Sequence, residues 1–360
     1  MDLCPHCQSS NLHNKGKRGK KKRYQCRDCG KYFSLPNNKC IIEDTPLPDL
    51  KIDFLDKNVP EFNTQEWFDL IEHYQGLDKK AGGSQDSAKI RIEVDNHPIA
   101  VMYSADWHLG SLAVDYQSFR DHLSFLINNN RFMMALVGDL IENFVQFKTK
   151  APIFAQIIPK ERQEQLLKGV FNELTGKRKL LFAASGNHDI EFDERLMGYS
   201  PIKRLLQEQI PFFRGQGVAQ IIIANEKGGK EVSFTNAVTH KSRFNSFLNQ
   251  HHTNQRLYQL FFPGDVVVSA HLHTPAISNH IHYIDAERMG LGFGGRSWFI
   301  RTGTFKTDDT HSQRYFKQGR IGIPTVVYFP DKRQCKAYET PYEADAVMQA
   351  WENGYKEVAE

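Results

Sequence analysis

Five clusters of metal-ligating residue types lie in order along the chain. They are Asp106-Trp-His108, Gly138-Asp139, Gly186-Asn187-His188-Asp189, a lone His240, and His271-Leu-His273. Carboxylate, amide oxygen and imidazole together suit divalent transition ions, Mn2+ first and Fe or Zn as alternatives, over an ion that prefers oxygen alone. A pair of such ions activates water and clamps the attacking and leaving oxygens of a phosphate displacement. An Asp or His followed two residues later by a His gives two ligands on one face of an extended segment, because side chains alternate there. Four of the clusters follow short apolar runs, at 99–103, 133–137, 180–184 and 266–269. These runs read as β-strands, so the ligands project from strand ends and meet at one sheet edge. His240 is identified by elimination, with His251, His252 and His280 as its rivals.

The strands must be spaced by elements that bring their ends together. Helical periodicity over 115–129, 160–175 and 196–209 alternates with the early strands, which indicates a layered α/β fold. Further strand-rich runs follow at 218–224, 230–238, 297–302 and 325–329. Between Asp139 and Lys179, the residues Phe144, Phe147, Lys148, Lys150 and Phe154 mix aromatic and basic character beside the expected metal edge, as a substrate grip or a packed cap.

The order D-x-H, G-D, G-N-H-D, lone His and H-x-H resembles the calcineurin-like metallophosphoesterase superfamily over roughly residues 99–329, with Ala270 where that family usually has Gly. The resemblance implies two stacked mixed β-sheets flanked by helices. It implies that Asp106, His108, Asp139 and His273 hold one ion, and that Asp139 bridges to a second held by Asn187, His240 and His271. His188 would act on the phosphate as transition-state stabiliser or general acid. Asp189 reads as its support, accepting a hydrogen bond that fixes the neighbouring imidazole.

A second constellation lies near the N-terminus, where Cys4-Pro-His-Cys7 and Cys26-Arg-Asp-Cys29 form two C-x2-C pairs eighteen residues apart. This spacing is a strong zinc signal. Four thiolates make a closed tetrahedral site, and one structural Zn2+ replaces the hydrophobic core that about forty residues cannot build. Cys40 and Cys335 read as reduced thiols. Residues 1–40 hold ten Lys or Arg against two Asp or Glu, a surplus of eight in a chain whose net charge is +4. Lys15, Lys17, Arg18, Lys20, Lys21, Lys22 and Arg23 concentrate it between the cysteine pairs, which suits a phosphate backbone. Tyr24, Tyr32 and Phe33 flank the basic run and offer rings for base stacking, Phe33 being assigned to packing at the zinc site. The stretch from Tyr24 to Phe33 is similar to zinc ribbons at the start of insertion-sequence transposases, which implies contact with DNA.

The expected division is a basic zinc ribbon at 1–40, a linker at 41–98 with a helix near 64–75, the catalytic domain at 99–340 and a helical tail at 341–360. Thr64 is the expected cap of the linker helix, and Trp67, Phe68, Ile71 and Tyr74 form a stripe expected to pack on a neighbouring domain. No apolar stretch approaches the ~20 residues that span a bilayer. The start lacks the pattern of a signal peptide, and retained thiols then point to the cytoplasm. The favoured activity is a nuclease or phosphodiesterase whose partner is nucleic acid, DNA ahead of RNA. The alternative is a phosphomonoesterase acting on phosphoproteins or nucleotide ends, with the ribbon docking a protein partner. A homodimer is the other partner class, and a non-enzymatic binder is disfavoured because all seven ligands are present.

Overall fold

The computed structural model describes residues 3–18, 21–35, 63–80, 86–95, 97–143, 155–194, 198, 200–206, 209–225, 231–242, 246, 248–281, 296–307, 319–331 and 333–354. Phe144, Phe147, Lys148, Lys150, Phe154, Lys20 and Cys40 lie outside them. The chain divides into two compact units, Met1–Leu70 and Ile71–Glu360.

The first unit contains a three-stranded antiparallel sheet of β1 (Leu12–Arg18), β2 (Lys21–Cys26) and β3 (Tyr32–Leu35). The register shifts between Asn14 and Lys17, and Gly16 takes up the bulge at φ 86°. Among the described residues up to 35, Cys4 and Cys26 alone are buried. A sheet this small has no apolar core of its own.

Helix α1 (Thr64–Lys80) is capped by Asn63, not by Thr64 as the sequence suggests. The Asn63 side chain accepts from the Glu66 N–H at 3.0 Å and Glu66 returns the favour to the Asn63 N–H at 2.7 Å, a reciprocal box open only to the residue three before Glu66. Trp67, Phe68, Ile71 and Tyr74 are each 47% or more exposed.

The second unit holds two mixed six-stranded sheets. One has the order β15 (Gln334–Tyr338), β14 (Thr325–Phe329), β5 (Ile99–Ser104), β6 (Phe132–Val137), β7 (Leu180–Ala184), β8 (Phe212–Phe213). The other runs β12 (Ala276–Ile281), β13 (Arg296–Arg301), β11 (Val266–Ser269), β10 (Val232–Thr239), β9 (Gln216–Asn225), β4 (Ser87–Val94). Strand β5 is buried along its whole length, so both of its faces are covered and its sequence is continuously apolar. Ala100 and Met102 face a core shared with helices α2 (Tyr116–Asn128), α3 (Lys160–Gly176) and α6 (Pro341–Glu352). Ile99, Val101 and Tyr103 face the second sheet, where they join Ile221, Val238 and Val268. Helix α5 (His252–Leu260) covers the outer side of that sheet through Leu257, against Val267 and Phe299. The layers are therefore helix, sheet, sheet, helix.

Inside the inter-sheet core, the Tyr103 and Tyr328 hydroxyls both donate to the Asn236 side-chain oxygen, at 2.7 and 2.6 Å. The Asn236 amide donates in turn to the Ala219 and Phe234 carbonyls. This satisfies a polar cluster that joins the two sheets.

Three features add detail to the sequence pattern. Strand β4 lies within the 41–98 span, pairing in parallel with β9 from Ser87↔Val218 to Val94↔Asn225. The helical run read over 196–209 is described only as α4 (Pro201–Leu205), started by Pro201 with Ser200 as its cap. Helix α6 buries Ala344, Met348 and Trp351 in the main core, so this part of the C-terminal segment is integral to the unit.

Candidate metal centre

Strands β5, β6 and β7 run parallel, as do β10, β11 and β13. Their carboxyl ends lead into the five ligand clusters, and a crevice beyond carboxyl ends is where layered α/β sheets place ligands. Asp106, His108, Asp139, His271 and His273 all adopt positive φ, between 48° and 73°. Left-handed backbone at five non-glycine residues is costly and concentrates at functional sites. The loops hold these strained turns so that side chains from different strands converge.

Asp106, His108 and His273 form one group of ligand atoms, and Asp139, His240 and His271 form another, each within 4.8 Å. Asp106 Oδ1 lies 3.3, 3.9 and 4.0 Å from the Nε2 atoms of His273, His108 and His240, so the two groups adjoin. His240 Nε2 is 3.0 Å from Asp139 Oδ2 and 3.2 Å from the Asn187 side-chain oxygen. The structure thus brings together Asp106, His108, Asp139, Asn187, His240, His271 and His273. His251 and His252 begin α5 instead, and His280 stacks on Phe299 with ring centroids 6.2 Å apart.

Two glycines make room for this convergence. A Cβ on Gly186 would stand 2.0 Å from Asp139 Oδ1, and one on Gly138 would stand 2.6 Å from both Gly186 Cα and His240 Nδ1. Asp106 Oδ1 is fully buried, and none of the imidazole nitrogens around it makes a well-aligned hydrogen bond to it. A buried carboxylate oxygen ringed by imidazole nitrogens is the environment a cation satisfies, so the residues present fit divalent ions.

The electrostatics agree with that fit. Burial would raise the Asp139 carboxyl, but His240 and His188 beside it hold it well below the usual carboxylate range. Burial likewise opposes ionisation of Asp106, where His273 and His240 reverse the effect. The His240 ring, which burial alone would keep neutral, is raised to about 9 by Asp139. Burial and the neighbouring His240 push His271 down to about 3.

His188 lies at the edge of the centre, 9% exposed, with Nε2 3.9 Å from Asp139 Oδ2. Its Nδ1 donates to the Glu142 carbonyl at 2.6 Å, and its backbone N–H donates to Asp139 Oδ1 at 2.9 Å. The support expected from Asp189 is therefore supplied at this atom by the Glu142 backbone. The Asp189 side chain accepts instead from the Gly186 N–H at 2.7 Å, closing the turn that presents Asn187 and His188. Burial and the nearby Asp139 raise the Asp189 carboxyl to about 8.

Glu142 and Lys306 belong to the site, although sequence reasoning did not select them. Glu142 Oε2 is 2.8 Å from His108 Nδ1, and its Oε1 is 2.6 Å from the buried Lys306 ammonium. Burial opposes its charge, yet His108 and Lys306 bring the Glu142 carboxyl down to about 2. The carboxylate thus faces the histidine from behind as an ion-pair partner, the position from which such a group supports a metal-binding ring. Glu142 stands three residues after Asp139 in the same loop, a signal available in the sequence. Asn143 extends the support, donating to the His188 carbonyl at 3.0 Å and to Asp193 at 2.7 Å.

In the ribbon, the Sγ atoms of Cys4 and Cys29 are 3.7 Å apart, and those of Cys7 and Cys26 are 3.5 Å apart. Neither pair is a disulfide. Sulfurs at tetrahedral zinc, with bonds of about 2.3 Å, stand about 3.8 Å apart, so the four-cysteine cluster fits a structural zinc. The backbone N–H of Cys29 draws the Cys26 thiol down to about 7, whereas at Cys7 the Ser9 N–H is outweighed by the neighbouring thiols, which push it up to about 12, so without metal the cluster's charge settles at Cys26. Lys15, Lys21 and Lys22 are exposed on the adjoining strands and Arg23 is half-buried. Lys17 and Arg18 lie on β1, opposite Lys22 and Lys21.

No protein-family model and no curated protein matches the chain. Solved structures with partial likeness include a Vps29 mutant from Entamoeba histolytica, at 12% identity and TM-score 0.34 over 67% of this chain and 99% of that one. An archaeal phosphodiesterase overlaps at 13% identity and TM-score 0.33, over 67% of this chain and 100% of the other. The Pseudomonas putida nuclease MPE overlaps at 14% identity and TM-score 0.27, over 66% and 87%. Likenesses of this size leave the chemistry to be read from this chain's own residues. No described helix is long and apolar enough to cross a membrane.

Proposed function

We propose that the chain is a divalent-metal-dependent phosphodiesterase that hydrolyses nucleic acid, with the zinc ribbon holding the substrate strand. The observation that carries this reading is the buried Asp106 Oδ1, which has no well-aligned hydrogen bond yet is ringed by three imidazole nitrogens 3.3–4.0 Å away, one of them from the second ligand group. Asp106, His108, Asp139 and His273 would hold one ion, and Asp139, Asn187, His240 and His271 the second. Ions bound there supply an activated water and neutralise phosphate charge.

The protein's own groups do the rest. His188 keeps its Nδ1–H on the Glu142 carbonyl, which fixes the ring and leaves Nε2 to hand a proton to the leaving oxygen. Glu142 orients His108 from behind, and Lys306 balances the carboxylate's charge. The basic strands of the ribbon would bind phosphates outside the reacting centre, contributing affinity without chemistry.

The test compares bis-p-nitrophenyl phosphate, p-nitrophenyl phosphate, single-stranded DNA, duplex DNA and RNA in the presence of Mn2+. Diester and nucleic-acid hydrolysis is expected, with about three metals per chain by elemental analysis, one in the ribbon and two at the centre. His188→Ala should lose roughly 100-fold or more in turnover while keeping its metals. Asp139→Asn should lose both ions of the centre. Turnover of the monoester alone would make the protein a phosphomonoesterase, and recovery of the ribbon zinc alone would end the two-metal reading.

A further inference from the structure

We infer that one face of the ribbon sheet is a stacking platform for single-stranded nucleic acid, centred on Tyr32. The inference rests on the nucleic-acid reading above and narrows its substrate class. The strand register assigns side chains to the two faces. His13 pairs with Gln25 and Gln25 with Tyr32, so these three form one row on one face. Arg23 and Ser34 form the next row on that face, two residues along β2 and β3. On the opposite face Tyr24 and Phe33 are directly paired, with rings stacked at 6.0 Å, and Cys26 lies two residues along from Tyr24. The three aromatic residues of the ribbon therefore have different roles. Tyr24 and Phe33 pack on each other on the cysteine side, and Tyr32 stands alone on the outer face.

Tyr32 is 51% exposed, with the Arg23 guanidinium over its ring at 4.9 Å from the centroid. Folding gains little from an aromatic ring left half in water, whereas an exposed ring with a guanidinium beside it suits an unpaired base. Charge complementarity points the same way. Lys21 lies two residues before Arg23 on the same face, and Arg27 reaches His13 at 3.3 Å. Among the described ribbon residues Asp28 is the sole acid, and its carboxylate is engaged by Ser9 and by Asn11. Gln25 and His13 lie in the row with Tyr32, where an amide and an imidazole can meet base edges. In a duplex the faces of the bases are covered by their neighbours, so a ring on a sheet surface has no base to stack on. A duplex would meet this face through phosphates alone.

The experiment measures binding by the zinc-loaded full chain, without added Mn2+, to a labelled oligo-dT and to a labelled hairpin duplex across a salt series. Tyr32→Ala should weaken oligo-dT binding about tenfold, the effect of removing one base-stacking ring. Duplex affinity should stay within about twofold and the salt slope should not change, because no phosphate contact is lost. Tyr32→Phe should bind oligo-dT like the parent. Zinc content, expected unchanged in both variants, checks that the ribbon is folded. Equal losses on both ligands, no loss on either, or failure of phenylalanine to substitute would overturn the platform. Hydrolysis of bis-p-nitrophenyl phosphate by the same variants separates the two readings. A chain that binds single strands through Tyr32 but cleaves no diester keeps the platform and loses the nuclease, and one that cleaves diesters with oligo-dT binding indifferent to Tyr32 does the reverse.

Discussion

At His240, two opposing demands meet in one ring. Asp139 raises it to about 9 against the burial that would keep it neutral, so at pH 7 the metal-free ring is protonated. A histidine ligates as the neutral ring, so metal uptake must expel that proton. The sign follows from the direction of the shift. The protonated pair contributes stability to the metal-free fold below the ordinary value of 6.5 and loses it as the pH rises through about 9. Metal affinity moves the other way, climbing up to about tenfold per pH unit between pH 7 and 9. Titration calorimetry at pH 7 in two buffers of different ionisation heat should show about one proton released at this ligand group, and equal heats in both buffers would refute the coupling. Glu142 makes a second prediction at this scale. Glu142→Gln removes the charge that faces both His108 and Lys306, and should weaken metal binding by about 10- to 100-fold. Metal titration followed by circular dichroism distinguishes this from unfolding, which would deny Glu142 a positioning role.

Elements act here by bringing loops closer than side chains normally permit. Gly186 faces Asp139 so tightly that a methyl would overlap its carboxylate and its backbone nitrogen, at 2.0 and 2.3 Å. Gly186→Ala should therefore displace the β6 loop, lose metal and cost about 1–3 kcal/mol. Gly169→Ala, in α3 with open space around it, should instead stabilise by about 0.5–1 kcal/mol. Thermal unfolding of the two variants should move in opposite directions, and a harmless Gly186→Ala would mean that the crowded geometry is not needed. The central strands were readable in the sequence because full or nearly full burial makes β5, β6, β7 and β11 largely apolar runs, and the ligands follow their ends. Strand β4 alternates as Ser-Ala-Lys-Ile-Arg-Ile-Glu-Val, a strand pattern the sequence did offer, but its place in the sheet was not legible because its partner β9 starts more than a hundred residues later. Lys306 was illegible for the same reason. Its ammonium meets Glu142, 164 residues away, and no local pattern encodes that distance.

The two compact units of the molecule rest on different physics. The larger is held by two apolar layers either side of a β-sheet, with residues such as Phe132, Phe182 and Tyr328 fully buried. Among its described residues the ribbon buries only two of its own cysteines, so an ion held by the four cysteines would carry the order of β1, β2 and β3. Removing ribbon zinc with a thiol-reactive reagent and a chelator should therefore abolish amide-exchange protection in these strands while leaving the strands of the larger unit protected. If both units lost protection together, the division of stability would be wrong. The same independence should extend to function. A chain lacking residues 1–40, its larger unit reconstituted with Mn2+, should hydrolyse bis-p-nitrophenyl phosphate like the parent, since no proposed ligand of the centre comes from the ribbon. It should act more weakly on long nucleic acid at low salt, and the deficit should shrink as salt screens the lost lysines and arginines. Unchanged action on long substrates at every salt concentration would show that the surplus of eight positive charges in residues 1–40 serves something other than the phosphate backbone.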